Sequence, residues 1–493
     1  MVLTTLLVCI FPLANACSHV HYYTNQPFEK GHSKNLSYAK ALQSSVRSDE
    51  VMFFVAFSGG GTRAASLAYG VLETLDDIPI GPQSTLYNRN RDFHSLLDEV
   101  DTISSVSGGS FAAAYFGLYG KRIFSDFSER FLERNVGRTI LYNLALPYNW
   151  FRIASPWFSR SEVAIEYYDR ILFDGKKFKD FDPLIQPLIQ IQATDIELGR
   201  GFSFSPDQFR LICSDLSDFP IARAVAASAA FPGVFSAITL KNYTEKCASG
   251  EREWMRQALE ERDITSRQFY YARDLKNYLD EKKMPNIHLL DGGISDNLGL
   301  RGPLDATLSF GGGVEALEKL GLQETQAIIF LIVNAQTRPH KGFSLIDATP
   351  GLGEILDSTS TVMINRYNFE TVAFLRDTLA KWKKDIDADR IVKKVNRPLN
   401  FYVVEVTFDS LDDDEERNYF SCLPTTLGLP KGKVREIRKV ARKLLLQSKE
   451  FQRLLWDLKI SLRDSESQPS GPPGPALVGK GPQSPLSQNR QTE

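Results

Sequence analysis

The residues best suited to chemistry stand in glycine-rich stretches. Ser107 lies in "SSVSGGS" (104–110), a variant of the G-x-S-x-G elbow with Ser105 in place of the first glycine. Such an elbow holds a nucleophilic serine on a strained strand-to-helix turn, which only small neighbours tolerate. Gly59, Gly60 and Gly61 lie in "FSGGGTRA" (57–64). Backbone N–H groups at the start of a helix bind anions, and the oxyanion of an acyl-transfer intermediate is such an anion. A serine hydroxyl also needs a base to take its proton. Two candidates lie downstream: Asp291 in "HLLDGGISDNLGL" (288–300) and His340 in "NAQTRPHKGFS" (334–344). Asp291 ends an apolar run and enters a glycine turn, the position where open α/β sheets keep their sites. Partial burial raises a carboxylate's proton affinity and makes it a direct base. His340 gives the Ser–Asp–His order instead. Taken singly, each stretch also reads as an ordinary turn or helix cap.

The elements that must position these residues follow from hydrophobic patterning. Residues 51–57, "VMFFVAF", form a continuous apolar run fit for a buried parallel strand. A glycine loop and a helix with Leu67, Val71, Leu72 and Leu75 at helical spacing follow it. The same plan recurs around Ser107. Further strands are expected at 187–195, 286–293, 326–336 and 398–408, with helical segments between them. This alternation predicts an α/β fold with a central, largely parallel sheet and helices on both faces. The glycine loop fits G-x-G-x-x-[GA], but no second strand ending in an acid follows and no Gly-Lys-Ser/Thr is present, which argues against a nucleotide.

The formal net charge of -2 over 493 residues gives no support to a nucleic-acid binder. Five scattered cysteines and six histidines show no zinc spacing, and no metal or other cofactor is implied. The N-terminal "LLVCIFPLANA" is short and apolar and ends in a small-residue pattern before Cys17. It reads as an export signal over residues 1–16, with Cys17 placed like the acylated cysteine of a bacterial lipoprotein. In an oxidising compartment a Cys213–Cys247 bridge is open, although sequence does not fix connectivity. Residues 17–50 read as a lead-in, 51–305 as the core, 306–464 as a C-terminal α/β extension and 465–493 as a disordered tail rich in Pro, Gly, Ser and Gln. Two stretches within the core look inserted: 249–285, charged and helical, and 139–160, dense in aromatics. Ordinary packing on the core is the expected use of the aromatics, with a lid or membrane-facing patch as the alternative.

The blocks "FSGGGTRAA", "SSVSGGS" and "DGGISDN", in this order, resemble the signature blocks of the patatin-like phospholipases. "ATDIELGRGFSF" (193–204) and "AVAASAAFPGVF" (224–235) resemble segments usual in that family. Ala64 and Ser105 stand where the family usually has glycine. The resemblance implies a three-layer patatin-like fold and lipid ester hydrolysis through an acyl-enzyme, with Ser107 as nucleophile and Asp291 as the second member of a Ser–Asp dyad. It implies an oxyanion loop at Gly59, Gly60 and Gly61, with Arg63, Gly108 and Gly292 as supporting positions. The role of Arg63 is open between a structural salt bridge and a functional one. Substrate and partner are then a phospholipid or other acyl-lipid and a membrane surface, with no nucleic acid. A lipid-binding envelope protein without catalysis, or a triad esterase using His340, is the competing reading.

Overall fold

The apolar run VMFFVAF forms a strand because both of its faces are covered. Its odd-numbered residues Val51, Phe53, Val55 and Phe57 enter one core, and Met52, Phe54 and Ala56 enter two smaller clusters on the other side. That two-residue period sets the layers of the whole molecule. The computed structural model describes residues 25–28, 47–87, 95–247, 252–311, 313–337, 347, 349, 351–393 and 398–462. Cys17, His340 and the tail from 465 lie outside the described residues.

Among the described residues ten strands form: β1 (Gln26–Pro27), β2 (Val51–Phe57), β3 (Thr102–Val106), β4 (Leu188–Asp195), β5 (Arg200–Phe204), β6 (Ser214–Asp215), β7 (Ile238–Lys241), β8 (Asn286–Asp291), β9 (Ala327–Asn334) and β10 (Asn400–Thr407). β1 and β6 form a small ribbon. The other eight make one sheet in the order β10-β9-β2-β3-β4-β8-β7, with β5 also on β4. The run from β10 to β4 is parallel. β8 and β5 are antiparallel to β4. The sheet is therefore mostly parallel, as the patterning predicts. The stretch 306–464 supplies β9 and β10, and β9 is hydrogen-bonded directly to β2.

The main helices are α1 (Gly61–Asp76), α2 (Gly108–Tyr119), α3 (Val136–Ala145), α4 (Pro147–Ile153), α5 (Arg160–Tyr168), α6 (Ile221–Ser228), α7 (Arg301–Leu308), α8 (Gly313–Leu320), α9 (Leu352–Val392) and α10 (Lys431–Gln447). One face of the sheet packs on α1, α2, α6 and α10, and the other on α7, α8 and α9. The charged stretch after 252 is helical, as expected, but Met255, Ala272, Leu275 and Tyr278 bury its inner side. Cys213 and Cys247 are joined in a disulfide, with Cα atoms 6.0 Å apart, inside the ordinary range.

The aromatic stretch departs from the expected packing. Tyr142, Tyr148, Phe151 and Trp157 are at least 60% exposed, and Trp150 is about half exposed. The pair α3–α4 is anchored through a few residues, Val136, Ile140 and Ile153, and leaves its aromatics in solvent.

Candidate active site

The register of β4 explains how residues 184 positions apart meet. On one edge of β4, Gln192 pairs with Val106 of β3 and Ala193 pairs with Asp291 of β8. The other edge is taken by β5, which pairs with the same two residues. So β3 and β8, running in opposite directions, abut end to end along one edge. The residue after β3 is Ser107, and the last residue of β8 is Asp291. Their side chains meet at that junction, with the Ser107 hydroxyl donating to Asp291 Oδ2 at 2.8 Å.

Ser107 is held at φ 48°, ψ −117°, a backbone region that side chains of L-residues seldom occupy. Its N–H donates to Ser228 Oγ at 2.8 Å. Ser228 donates its one hydrogen to the Gln192 carbonyl at 2.6 Å. Ser110, whose Oγ lies 3.0 Å from that of Ser228, is therefore the donor in their contact. The end of α6 steadies the base as well. The Gly292 N–H donates to the Ser228 carbonyl and the Asp291 N–H to the Ala230 carbonyl. Gly292 must lack a Cβ, since one would stand 2.4 Å from the Gln192 carbonyl oxygen. The Thr194 hydroxyl donates to the Asp291 carbonyl at 2.8 Å.

Asp291 is buried. Burial pushes its pKa from 3.8 up to about 6, against the lowering effect of hydrogen bonds from the Gly293 N–H and the Ser107 hydroxyl. Asp101 and Asp296 are also buried carboxyls pushed up by desolvation, but Asp101 faces Arg47 and Asp296 accepts from the Arg301 N–H. Geometry, not the shift alone, singles out Asp291. Asp195, in the quoted "ATD" run, accepts from two turn N–H groups and from Tyr278, and shapes the β4–β5 turn.

The glycine loop needs one correction. Gly59, expected among the oxyanion donors, gives its N–H to the Asn297 carbonyl at 3.0 Å. Its contribution is steric: a Cβ there would stand 2.5 Å from Asn297 Oδ1 and 3.3 Å from Ser107 Cβ. Gly60 (φ 137°) and Gly61 (φ 58°) adopt backbone that favours glycine, and their N–H groups have no acceptor among the described residues. Gly61 and Gly108 open α1 and α2, so their N–H groups lack intrahelical acceptors. The two turns touch, since a Cβ on Gly108 would fall 2.1 Å from the Gly61 oxygen. Free donors from both helix starts thus converge beside Ser107.

Arg63 forms no salt bridge among the described residues. Its guanidinium donates to the carbonyls of Ala335 and Leu423 and to Thr425 Oγ1, and burial lowers its pKa. It ties the glycine loop to the segment after residue 422. That tie is reinforced by the Thr62 N–H, which donates to the Thr426 carbonyl at 2.8 Å.

Sequence reasoning missed Ser228, Ser110 and Tyr168. Ser228 is the one hydroxyl in "AVAASAAF", which was the available signal. Tyr168 closes α5 before a wide π-helical turn at Asp169–Phe173. Its hydroxyl is buried without a partner among the described residues, and burial together with the nearby Asp291 charge raises its pKa. Among the described residues no group of three or more His, Cys, Asp or Glu gathers to hold a metal ion.

At this sheet edge a strained serine thus stands against a buried carboxylate, beside two glycine-started helices. The chain belongs to the patatin-like phospholipase family, whose family model matches residues 55–304, about half of the chain. No curated protein sequence matches it. Among solved structures it is similar to human GIVD cytosolic phospholipase A2, at 13% identity and a TM-score of 0.34, over 60% of this chain and 47% of that one. The chain thus spans about half the length of that structure.

Proposed function

We propose that the protein is a serine lipid acyl hydrolase of phospholipase A or lysophospholipase type, working through a Ser107–Asp291 dyad. The observation that carries this reading is the 2.8 Å hydrogen bond from the Ser107 hydroxyl to a carboxylate held near pH 6 by burial. Asp291 accepts the Ser107 proton as Oγ bonds to the ester carbonyl carbon. The oxyanion is held by N–H groups of Gly60, Gly61 and Gly108. The carbonyl re-forms, the alcohol leaves with the proton from Asp291, and an acyl-enzyme remains. Water then attacks, Asp291 takes its proton, and collapse releases the acid and returns the proton to Ser107. A panel of phospholipids, lysophospholipids and glycerides tests the substrate class. Acid release by the wild type, and its loss in Ser107→Ala and Asp291→Asn, is the expected outcome.

The direct serine–carboxylate contact favours the dyad over a triad through His340, and His340→Ala retaining full turnover checks this. We further propose export and membrane association. The Cys213–Cys247 bridge suits an oxidising compartment. The exposed aromatics of α3 and α4 suit a lipid–water boundary. No helix among the described residues is long and apolar enough to cross a membrane. Anchoring through an acylated Cys17 is tested by mass spectrometry of the mature N-terminus.

A further inference from the structure

Helix α3 turns an apolar stripe to solvent. Arg138, Leu141, Tyr142 and Ala145 fall at i, i+3, i+4 and i+7, one face of the helix, and all four are exposed. Tyr148, Trp150 and Phe151 of α4, and then Trp157, continue that surface. From residue 139 to residue 159 no exposed residue carries a charge. Single exposed apolar residues are ordinary, whereas a run of them on adjoining elements marks a binding surface. The one charge inside the stretch, Arg152, is turned to α5. It donates to Glu166 Oε2 at 3.0 Å, and its guanidinium lies 3.7 Å from the centroid of the Phe158 ring.

The remaining charges stand at the two ends of the stretch and have one sign. Residues 134–161 hold Arg134, Arg138, Arg152 and Arg160 and no Asp or Glu, in a chain of formal net charge -2. Arg134 and Arg138 are exposed, and Arg160 is half-buried. Arg134 donates to the Glu129 carbonyl and Arg160 to the Gly233 carbonyl, and none of the three forms an ion pair among the described residues. An aromatic face edged by cations without carboxylates matches a partner that is apolar within and negative at its surface. An anionic lipid surface has that layering. A second copy of this face would offer those arginines no acid.

The face also leads to the dyad. Arg160 Nη1 donates to the Gly233 carbonyl at 3.1 Å, and the Ser161 hydroxyl to the Ser236 carbonyl at 2.6 Å. These bonds fix the start of α5 to residues 231–236. That segment follows Ala230, whose carbonyl accepts from the Asp291 N–H. It exposes Phe231 and Val234, and Ile294, three residues after Asp291, is exposed as well.

We propose that α3, α4 and residues 231–236 form one docking face for an anionic lipid surface. Its aromatics enter the acyl region, and Arg134, Arg138 and Arg160 meet the negative headgroups. The proposal rests on the membrane association read above and adds to it the sign of the lipid charge and the residues that recognise it. It does not depend on the dyad chemistry.

Vesicle sedimentation of the full chain carrying Cys17→Ser and Ser107→Ala tests it, since neither an acyl anchor nor turnover then contributes. Phosphatidylcholine vesicles are compared with vesicles in which about a third of the lipid is phosphatidylglycerol. Binding should be tighter on the anionic vesicles by about tenfold or more, and the gain should shrink as salt is raised. Arg134→Gln with Arg138→Gln should weaken binding to the anionic vesicles by roughly tenfold and leave binding to phosphatidylcholine unchanged. Phospholipid with brominated acyl chains should quench tryptophan fluorescence, and Trp150→Phe with Trp157→Phe should abolish that quenching. All four substituted side chains are exposed, so thermal melts should match the parent chain. Four results would overturn the proposal: equal binding to the two vesicles, undiminished binding of the arginine variant, quenching retained in the tryptophan variant, or self-association in solution that Phe151→Ser abolishes. Binding to neither vesicle would overturn it together with the membrane association. Absence of acid release by the wild type would remove the hydrolase reading and leave all of these outcomes unaffected.

Discussion

The turn after β2 and the turn after β3 follow one plan and hold opposite contents. Both leave the C-terminal end of a parallel strand and start a helix, and the two strands are hydrogen-bonded neighbours. The first turn uses Gly60 and Gly61 at positive φ and offers bare N–H groups. The second places a serine at φ 48° and offers a hydroxyl. Where glycine stands, the backbone is relaxed and the helix start is free to bind an anion. Where serine stands, the strain costs on the order of 1–3 kcal/mol and persists only because the surroundings fix it. Ser228 is the part of the surroundings that does so. Under the proposed mechanism the difference separates two tasks along one sheet edge: anion binding at one turn and bond formation at the next.

The largest test removes the reacting groups. Ser107→Ala should lower kcat by about 10⁴-fold or more, and Asp291→Asn by a comparable factor, in steady-state hydrolysis. The two turns should then respond with opposite signs of stability. Ser107→Gly should be inactive yet more stable by about 1 kcal/mol, because glycine accepts the positive φ. Gly61→Ala should lose stability by about 2 kcal/mol or more, because a Cβ would stand 2.3 Å from the Thr426 oxygen at φ 58°. Its kcat should fall by about 10²-fold as the anion site closes. Thermal melts beside kinetics check both, and equal signs would break the comparison.

The next effect is in pH. With Asp291 as base and its pKa near 6, kcat/KM should fall about tenfold per unit below about pH 6. The stability effect has the reverse sense. The folded pKa is raised above 3.8, so the folded state binds the extra proton between about pH 4 and 6, and stability declines as pH rises through that window. Asp291→Asn should therefore be more stable than wild type at neutral pH, by on the order of 1 kcal/mol. Ser228→Ala, which takes the acceptor from the Ser107 N–H, should lower kcat by roughly tenfold to a hundredfold without moving that pH midpoint. The smallest effect belongs to the exposed aromatics. Phe151→Ser with Trp157→Ser should reduce turnover of aggregated lipid by roughly a few-fold and leave a soluble ester unaffected.

The two turns also show what was legible in the sequence. Buried parallel strands such as VMFFVAF and AIIFLIVN announce themselves as apolar runs, and each glycine or serine turn sits where such a run stops. Chain order did not reveal the end-to-end abutment of β3 and β8, because it depends on β8 running antiparallel on the edge that β3 leaves vacant. The short strands β5 and β7 were missed because five and four residues carry too little pattern. Gly59 was read as a donor because sequence cannot tell which N–H of a glycine run is already taken, here by the Asn297 carbonyl. Arg63 was left between two roles, and its three acceptors come from residues 335, 423 and 425, far from it in the chain. The exposure of Phe151 and Trp157 was likewise hidden, since apolar composition alone reads as core.

The central claim is that Ser107 is the nucleophile and Asp291 its base. Intact-protein mass spectrometry of a fluorophosphonate reaction, followed over time between about pH 5 and 8, tests it most directly. The account predicts one adduct, on Ser107, forming at a rate that rises with pH through about 6 and drops about a hundredfold or more in Asp291→Asn. An adduct on another residue, or labelling of Asp291→Asn at the wild-type rate, would contradict it.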